Sequence, residues 1–257
     1  MRLQGKVALI TGSGSGIGKA TSLLFAQHGA KICVADINLK GAEETASEIR
    51  AKGGEAICVE ADVTNAEHIQ RMIHETINKF QKIDILFNNA GMSSPLFPIE
   101  ELDEAHWDKI MAVNVKSIFL ACKYAVPIMK KQGGGVIINT GSIIAVRPRP
   151  RQSAYLASKA AVVNLTKGIA LEVAPYRIRV NCINPVAAET PLLEKILRDS
   201  TSQEADYQKE KEKYIASVPI GRLATADDVA YAALYLASDE SSMLTGACIN
   251  VDGGRGV

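Results

Sequence analysis

Seven short apolar runs, separated by longer stretches of helical periodicity, constrain this 257-residue chain more than any single motif. The runs are Val7–Ile10, Lys31–Ala35, Ala56–Glu60, Ile83–Phe87, Val136–Asn139, Arg179–Ile183 and Cys248–Val251. They show hardly any alternation of apolar and polar residues, which is the pattern of strands covered on both faces. Between them Gly16–His28, Lys40–Lys52, Ala66–Phe80, Ala105–Lys131, Ser153–Val173 and Ala226–Ala237 read as helices. Pro127 is expected to kink or end the fourth of these. Strand and helix in strict alternation imply a parallel sheet with helices on both faces. Right-handed crossovers make that sheet doubly wound, with ligands bound beyond the C-terminal ends of its strands. With no internal repeat and no linker-like shift in composition, residues 1–257 read as one α/β domain.

Two segments interrupt the rhythm. Residues 141–152 form a loop carrying Arg147, Arg149 and Arg151 between prolines. Residues 187–217 form a polar, charged insertion with helical tendencies at Leu192–Leu197 and Glu204–Ala216. Connections in compact folds are usually short, so this insertion is expected to be a substrate lid.

The first strand runs directly into Thr11-Gly12-Ser13-Gly14-Ser15-Gly16-Ile17-Gly18, which opens the first helix. Glycines in that setting let the backbone approach a pyrophosphate, and the helix start offers it free N–H groups and a favourable dipole. A Walker phosphate loop is excluded, because Gly18-Lys19 is followed by Ala20 and position 13 is serine. The loop therefore points to a dinucleotide and to a Rossmann-type sheet. Asp36 ends the second strand, about 18 residues after the last glycine, where a carboxylate accepts from a ribose 2′-hydroxyl and repels a 2′-phosphate. No Lys or Arg occupies Ser13, Gly14, Ser15, Ala35 or Ile37, so NAD is expected over NADP. Capping of the next helix is the competing role for Asp36, and Asn38 is equally placed for it.

Tyr155 and Lys159 are one helical turn apart, thirteen residues and more beyond Ser142. A free tyrosine titrates near pH ~10, too high for a base at neutral pH. Residues four apart share a helix face, so the Lys159 charge is expected to pull the Tyr155 phenol down toward working pH. Ser142 supplies a hydroxyl for the same substrate oxygen.

These residues together resemble the short-chain dehydrogenase/reductase family over about Gly5 to Gly254. Thr11-Gly12-x-x-x-Gly16-Ile17-Gly18 is similar to its cofactor loop, Asp62-Val63 to its adenine contact, and Asn88-Asn89-Ala90-Gly91 to its sheet-supporting motif. Asn184-Pro185 and Thr190-Pro191-Leu192 resemble the segment beside the nicotinamide, and Leu244-Thr245-Gly246 with Val251-Asp252-Gly253-Gly254 its last strand and tail. Val186 stands where the family usually has glycine. The resemblance implies a catalytic set of Asn114, Ser142, Tyr155 and Lys159, with Asn114 holding a water that leads from Lys159 to solvent. It implies cofactor binding by Gly12, Ser15, Gly16, Ile17, Gly18, Asp36, Ile37, Asp62, Val63, Asn89, Ala90, Gly91, Tyr155, Lys159, Pro185, Val186, Ala188 and Thr190. It also implies a homotetramer packed through the Ala105–Lys131 and Ser153–Val173 helices.

The expected reaction is hydride transfer between NAD(H) and a small secondary alcohol or ketone, with Tyr155 as general acid/base. A 3-oxoacyl-thioester reductase shares fold and catalytic set; its usual NADPH preference sets it against Asp36. A catalytically idle dinucleotide sensor is set against by the complete catalytic set. Anionic substrates would give Arg147, Arg149 and Arg151 a role at the pocket mouth. A net charge of +1 and few aromatics argue against nucleic acid as a partner. No apolar run is long enough for a membrane span or a secretory signal, so a cytoplasmic protein is expected. The five cysteines are scattered through apolar runs and His28, His68, His74 and His106 lack ligand spacing, so no metal is expected.

Overall fold

The strands of the computed structural model, which describes residues 1–199 and 204–257, all run parallel to their neighbours. They are β1 (Val7–Thr11), β2 (Lys31–Asp36), β3 (Ala56–Glu60), β4 (Ile85–Asn88), β5 (Gly135–Thr140), β6 (Ile178–Pro185), β7 (Ala188–Glu189), β8 (Ala224–Thr225) and β9 (Cys248–Val251). The helices are α1 (Gly16–Gln27), α2 (Leu39–Ala51), α3 (Ala66–Phe80), α4 (Glu104–Met111), α5 (Ser117–Gln132), α6 (Ser153–Val173), α7 (Pro191–Asp199), α8 (Glu204–Ala216) and α9 (Ala226–Ala237). Seven strands form the main sheet in the order β3-β2-β1-β4-β5-β6-β9. The order reverses between β1 and β4, and a crevice opens there beyond the strand ends.

Strand side chains alternate in direction even where all of them are apolar. Leu9 of β1 packs with Ile69 and Met72 of α3, Ile118 of α5 and Val162 of α6. Its neighbours Ala8 and Ile10 pack on the opposite face with Phe25 of α1, Ala42 of α2 and Val229 of α9. The sheet is thus covered on both faces, as its unbroken apolar strands require. Between the layers, the Asn88 amide donates to Asn139 at 2.9 Å, and Asn139 donates to Thr166 of α6 at 2.9 Å. This buried polar chain ties β4, β5 and α6 together.

The helix expected over Ala105–Lys131 is broken, but not at Pro127. Helix α5 runs through Pro127 and stops at Gly133, whose φ of 85° suits a residue without a Cβ. Proline removes only the bond to the Lys123 carbonyl, and both residues face solvent, where water replaces it. The break is a π turn over Ala112–Lys116, between α4 and α5, with Asn114 at its centre. By length and hydropathy the 29-residue stretch Glu104–Gln132 is apolar enough to cross a bilayer. Here it packs against α3 and α6.

The 187–217 insertion holds α7 and α8, close to the two expected helical tendencies; residues 200–203 of it lie outside the described residues. Leu193 and Leu197 of α7 pack on Leu223, with Tyr207, Tyr214 and Ile215 of α8 against them. The β7–β8 pair at its base has two residues per strand, too few for any sequence pattern to register.

Candidate active site

The loop after β1 is shaped by close backbone approach. Gly12 has φ of 63°, and a Cβ there would lie 2.8 Å from the Ala90 Cα. A Cβ on Gly18 would overlap the Gly12 carbonyl and lie 2.7 Å from Asn89 Nδ2. Asn89 Nδ2 donates to the carbonyls of Thr11 (3.0 Å) and Gly12 (3.1 Å). In return the Thr11 hydroxyl accepts from the amides of Asn89 and Ala90, each at 3.1 Å. The β1 loop and the end of β4 are therefore stitched together at the point where the strand order reverses. Ser15 caps α1 without a side-chain hydrogen bond, which leaves the first amides of that helix facing the cleft. The glycines let the loop lie tight against the end of β4, and the free amides at the start of α1 form a cradle that fits a pyrophosphate.

Gly18→Ala tests the cradle. Its added methyl has no space, so the helix or the loop must shift, at about 1–3 kcal/mol of stability or more. We expect a lower Tm together with weakened dinucleotide binding, measured by thermal melts and cofactor titration.

Asp36 does not cap α2; Asn38 does, accepting from Gly41 N at 3.3 Å. The Asp36 carboxylate instead accepts from Gly14 N and Asn38 N, each at 2.8 Å, so it braces the glycine loop while lining the cleft. Beside it lie Ile37, Asp62 and Val63. Asp62 holds its own turn by accepting from the amide (2.8 Å) and hydroxyl (2.7 Å) of Thr64. His68 Nδ1 accepts from the Asp62 amide at 3.2 Å, a supporting role that its sequence position gives no hint of.

At the other end, Ser142 follows β5 in extended backbone, accepts from Ile144 N at 3.3 Å, and lines the cleft near enough to Tyr155 to favour its ionised form. Tyr155 lies in the first turn of α6, and Lys159 follows one turn later. Lys159 is only 4% exposed, and its ammonium donates to the Thr140 carbonyl at 2.8 Å and lies 5.7 Å from the centre of the Tyr155 ring. Burial pulls Lys159 down to about 8. The expected lowering of Tyr155 is not what this geometry gives. Burial is the larger effect and holds the phenol above its ordinary value, Ser142 opposes it, and Tyr214 adds to it.

Asn114 lies behind the wall of the site. Its side chain is buried and engaged, accepting from Met92 N at 2.8 Å and donating to Met92 O at 2.9 Å and Ser158 Oγ at 3.0 Å. An amide so committed positions the 91–93 segment against α6. The π turn is what swings it inward.

A cleft of about 720 Å³ joins both ends. Every residue named above for catalysis or cofactor binding lines it, from Gly12 to Thr190, except Gly18 and Asn114, which lie behind its wall. Val186 is 6% exposed, packs with Ile143, Ala188 and Val218, and has no positive φ, so valine stands there without backbone strain. Thr190 accepts from Leu193 N at 3.4 Å and so starts α7. Arg147 and Arg149 line the cleft; Arg151 does not. Sequence reasoning missed Thr11 as a clamp, Thr140 as the lysine's anchor, and Arg255 and Tyr214 as lining residues. For Arg255 a signal existed, since the Asp252-Gly253-Gly254 tail turns back at that point. No cluster of potential metal ligands occurs among the described residues.

Comparison with known proteins places this geometry. The family profile described as enoyl-(acyl carrier protein) reductase matches residues 12–255. The 3-oxoacyl-[acyl-carrier-protein] reductase of Thermotoga maritima is 39% identical over 99% of both chains. A solved 3-ketoacyl-(acyl-carrier-protein) reductase from Brucella melitensis, complexed with NADH, is 40% identical with a TM-score of 0.90, over 99% of this chain and 100% of that one. A solved NAD+-bound xylitol dehydrogenase is 32% identical with a TM-score of 0.93, over 99% of this chain and 100% of that one. Likeness of this depth runs the whole length of the fold and through the cleft, and on that ground the chain is an oxidoreductase that belongs to the short-chain dehydrogenase/reductase family.

Proposed function

We propose that the protein moves a hydride between NAD(H) and a secondary alcohol or ketone, with Tyr155 carrying the proton. The observation that supports this most is the placement of Ser142, Tyr155 and Lys159 on the wall of the same cleft that begins at the glycine loop. A bound nicotinamide dinucleotide supplies the hydride acceptor or donor. In the oxidative direction Tyr155 takes the hydroxyl proton of the alcohol, and in reduction it returns one to the carbonyl oxygen. Ser142 donates to the same oxygen and stabilises charge there as the carbon–hydrogen bond breaks or forms. Lys159, held by Thr140, places positive charge beside the phenol and favours its deprotonated form against the cost of burial. Asp36 and the glycine cradle hold the dinucleotide, and the carboxylate disfavours a 2′-phosphate.

Asp36→Asn keeps the shape and removes the charge. Wild-type kcat/KM is expected to favour NADH over NADPH, and the variant to shift that ratio toward NADPH by about tenfold or more. Equal use of both cofactors by the wild type would remove the NAD assignment.

A thioester reductase is the second reading, favoured by the T. maritima relative and the solved structure with NADH. That structure also means that preference for NADH does not separate the two readings, contrary to the sequence argument from Asp36. Substrate does: turnover of small free ketones supports the first reading, and turnover confined to 3-oxoacyl thioesters supports the second. Exposed Phe119 on α5 and Leu171 on α6 support self-association through these helices, for which we retain the homotetramer.

A further inference from the structure

We propose that Arg147, Arg149 and Arg255 form an anion subsite, so that the substrate carries a carboxylate, sulfonate or phosphate group away from its reacting carbon. This rests on the hydride-transfer reading and narrows its substrate class. The charges lining the cleft are sorted by position. Its two carboxylates, Asp36 and Asp62, sit at the β2 and β3 end, and the remaining charged lining residues are Arg147, Arg149, Lys159, Lys195 and Arg255. Two of the three arginines follow β5 and the third follows β9, so the fold gathers them from chain segments more than a hundred positions apart.

Arg149 and Arg255 have neutral partners, and Arg147 reaches the backbone. Arg147 Nη1 donates to the carbonyl oxygen of Arg255 (2.9 Å) and to a backbone oxygen of Val257 (3.0 Å). Arg255 Nη1 donates to Ser217 O at 2.9 Å, and Arg149 Nη2 donates to Ser217 Oγ at 3.4 Å. The Arg149 guanidinium also lies 4.7 Å from the centre of the Tyr214 ring. Among the described residues none of the three is paired with an Asp or Glu side chain. Each guanidinium has five N–H donors, so most of this donor capacity remains for a ligand.

The cations also feel one another. Arg255 is lowered from its ordinary value by burial first and then by repulsion from Arg149 and Arg147. Arg149 and Arg255 are half-buried and Arg147 is exposed beside them, and like charges held together are unfavourable until an anion joins them. Planar guanidinium groups match carboxylate, sulfonate and phosphate oxygens with paired hydrogen bonds. Tyr214 connects this group to the chemistry, since its ring lies under Arg149 and it lines the same cleft as Tyr155. It belongs to α8 of the insertion, so an anion held here also meets the segment covering the cleft.

The competing role is a latch for the chain's last residues, through the Arg147 bonds to residues 255 and 257. The test uses a homologous series of oxo-carboxylates, the corresponding oxo-sulfonates and oxo-phosphates, and the neutral methyl esters of the carboxylates, assayed with NADH. We expect the best anionic member to exceed its ester in kcat/KM by about ten- to a hundredfold, mainly through KM. That ratio should fall at least tenfold, as an order-of-magnitude expectation, in both Arg149→Gln and Arg255→Gln, and should survive in Arg151→Gln, which lies outside the cleft. The advantage should also shrink with added salt. Which anion series leads identifies the headgroup. Calorimetric titration of the NADH complex with non-reacting carboxylates and sulfonates keeps the two readings apart. Binding that the arginine variants lose, without turnover of any ketone, upholds the subsite and removes the hydride-transfer reading. Turnover of neutral ketones with no anion preference, and no anion binding, overturns the subsite and leaves a tail latch.

Discussion

Tyr155→Phe is expected to lower kcat by about 10²–10⁴-fold, the range that general acid–base catalysis contributes, while the protein still binds dinucleotide. The substitution keeps the ring on the wall of the cleft and removes one oxygen. That oxygen belongs to the same stretch of cleft wall as Ser142, whereas the Lys159 ammonium is already spent on a backbone carbonyl. Phenylalanine leaves the Gly12 to Gly18 loop untouched, so cofactor titration serves as the control for folding. A variant that retained near wild-type turnover on an identified alcohol would take the proton-carrying role away from this residue.

Lys159→Met is expected to separate activity from stability. Turnover should fall by about 10² or more, since the cation that favours the phenolate is gone. Stability should change its dependence on pH. Folded Lys159 loses its proton at about 8, against 10.5 in the unfolded chain. Between those values the unfolded state binds more protons, so stability rises with pH through this window; below it the buried charge is a full liability. The shift corresponds to about 3 kcal/mol gained by the dinucleotide-free wild type from pH 7 to 10.5. The methionine variant should lack that component, although it leaves the Thr140 carbonyl without its donor at every pH. Urea unfolding across this range measures both proteins, and parallel pH curves would contradict the assignment.

What the sequence made legible follows from which interactions are local. The seven main strands and their flanking helices were readable because buried strands and amphipathic helices write their burial into consecutive residues. The glycine loop, Asp36 and the Tyr155–Lys159 turn were readable because each is a short motif whose chemistry needs its spacing. What failed was long-range. The π turn at Asn114 goes with a contact of its amide to Met92, twenty-two positions earlier. Pro127 looked like a break, but its cost depends on which way the Lys123 carbonyl faces, and that is set by packing. The titration of Tyr155 followed from burial, which four-residue spacing does not reveal. Arg255 joined the cleft because β9 pairs beside β6 and the chain then turns back.

The link between Thr11 and Asn89 has a consequence for how the nucleotide-binding half is made. Their hydrogen bonds span 78 positions, with α1, β2, α2, β3 and α3 between them. The first strand–loop–helix unit therefore does not contain its own finished receptor. Its glycines grant conformational permission, and the chosen shape is imposed only when the fourth strand docks alongside. The proposed dinucleotide receptor is therefore shared between the first and fourth strands rather than contained in an N-terminal fragment.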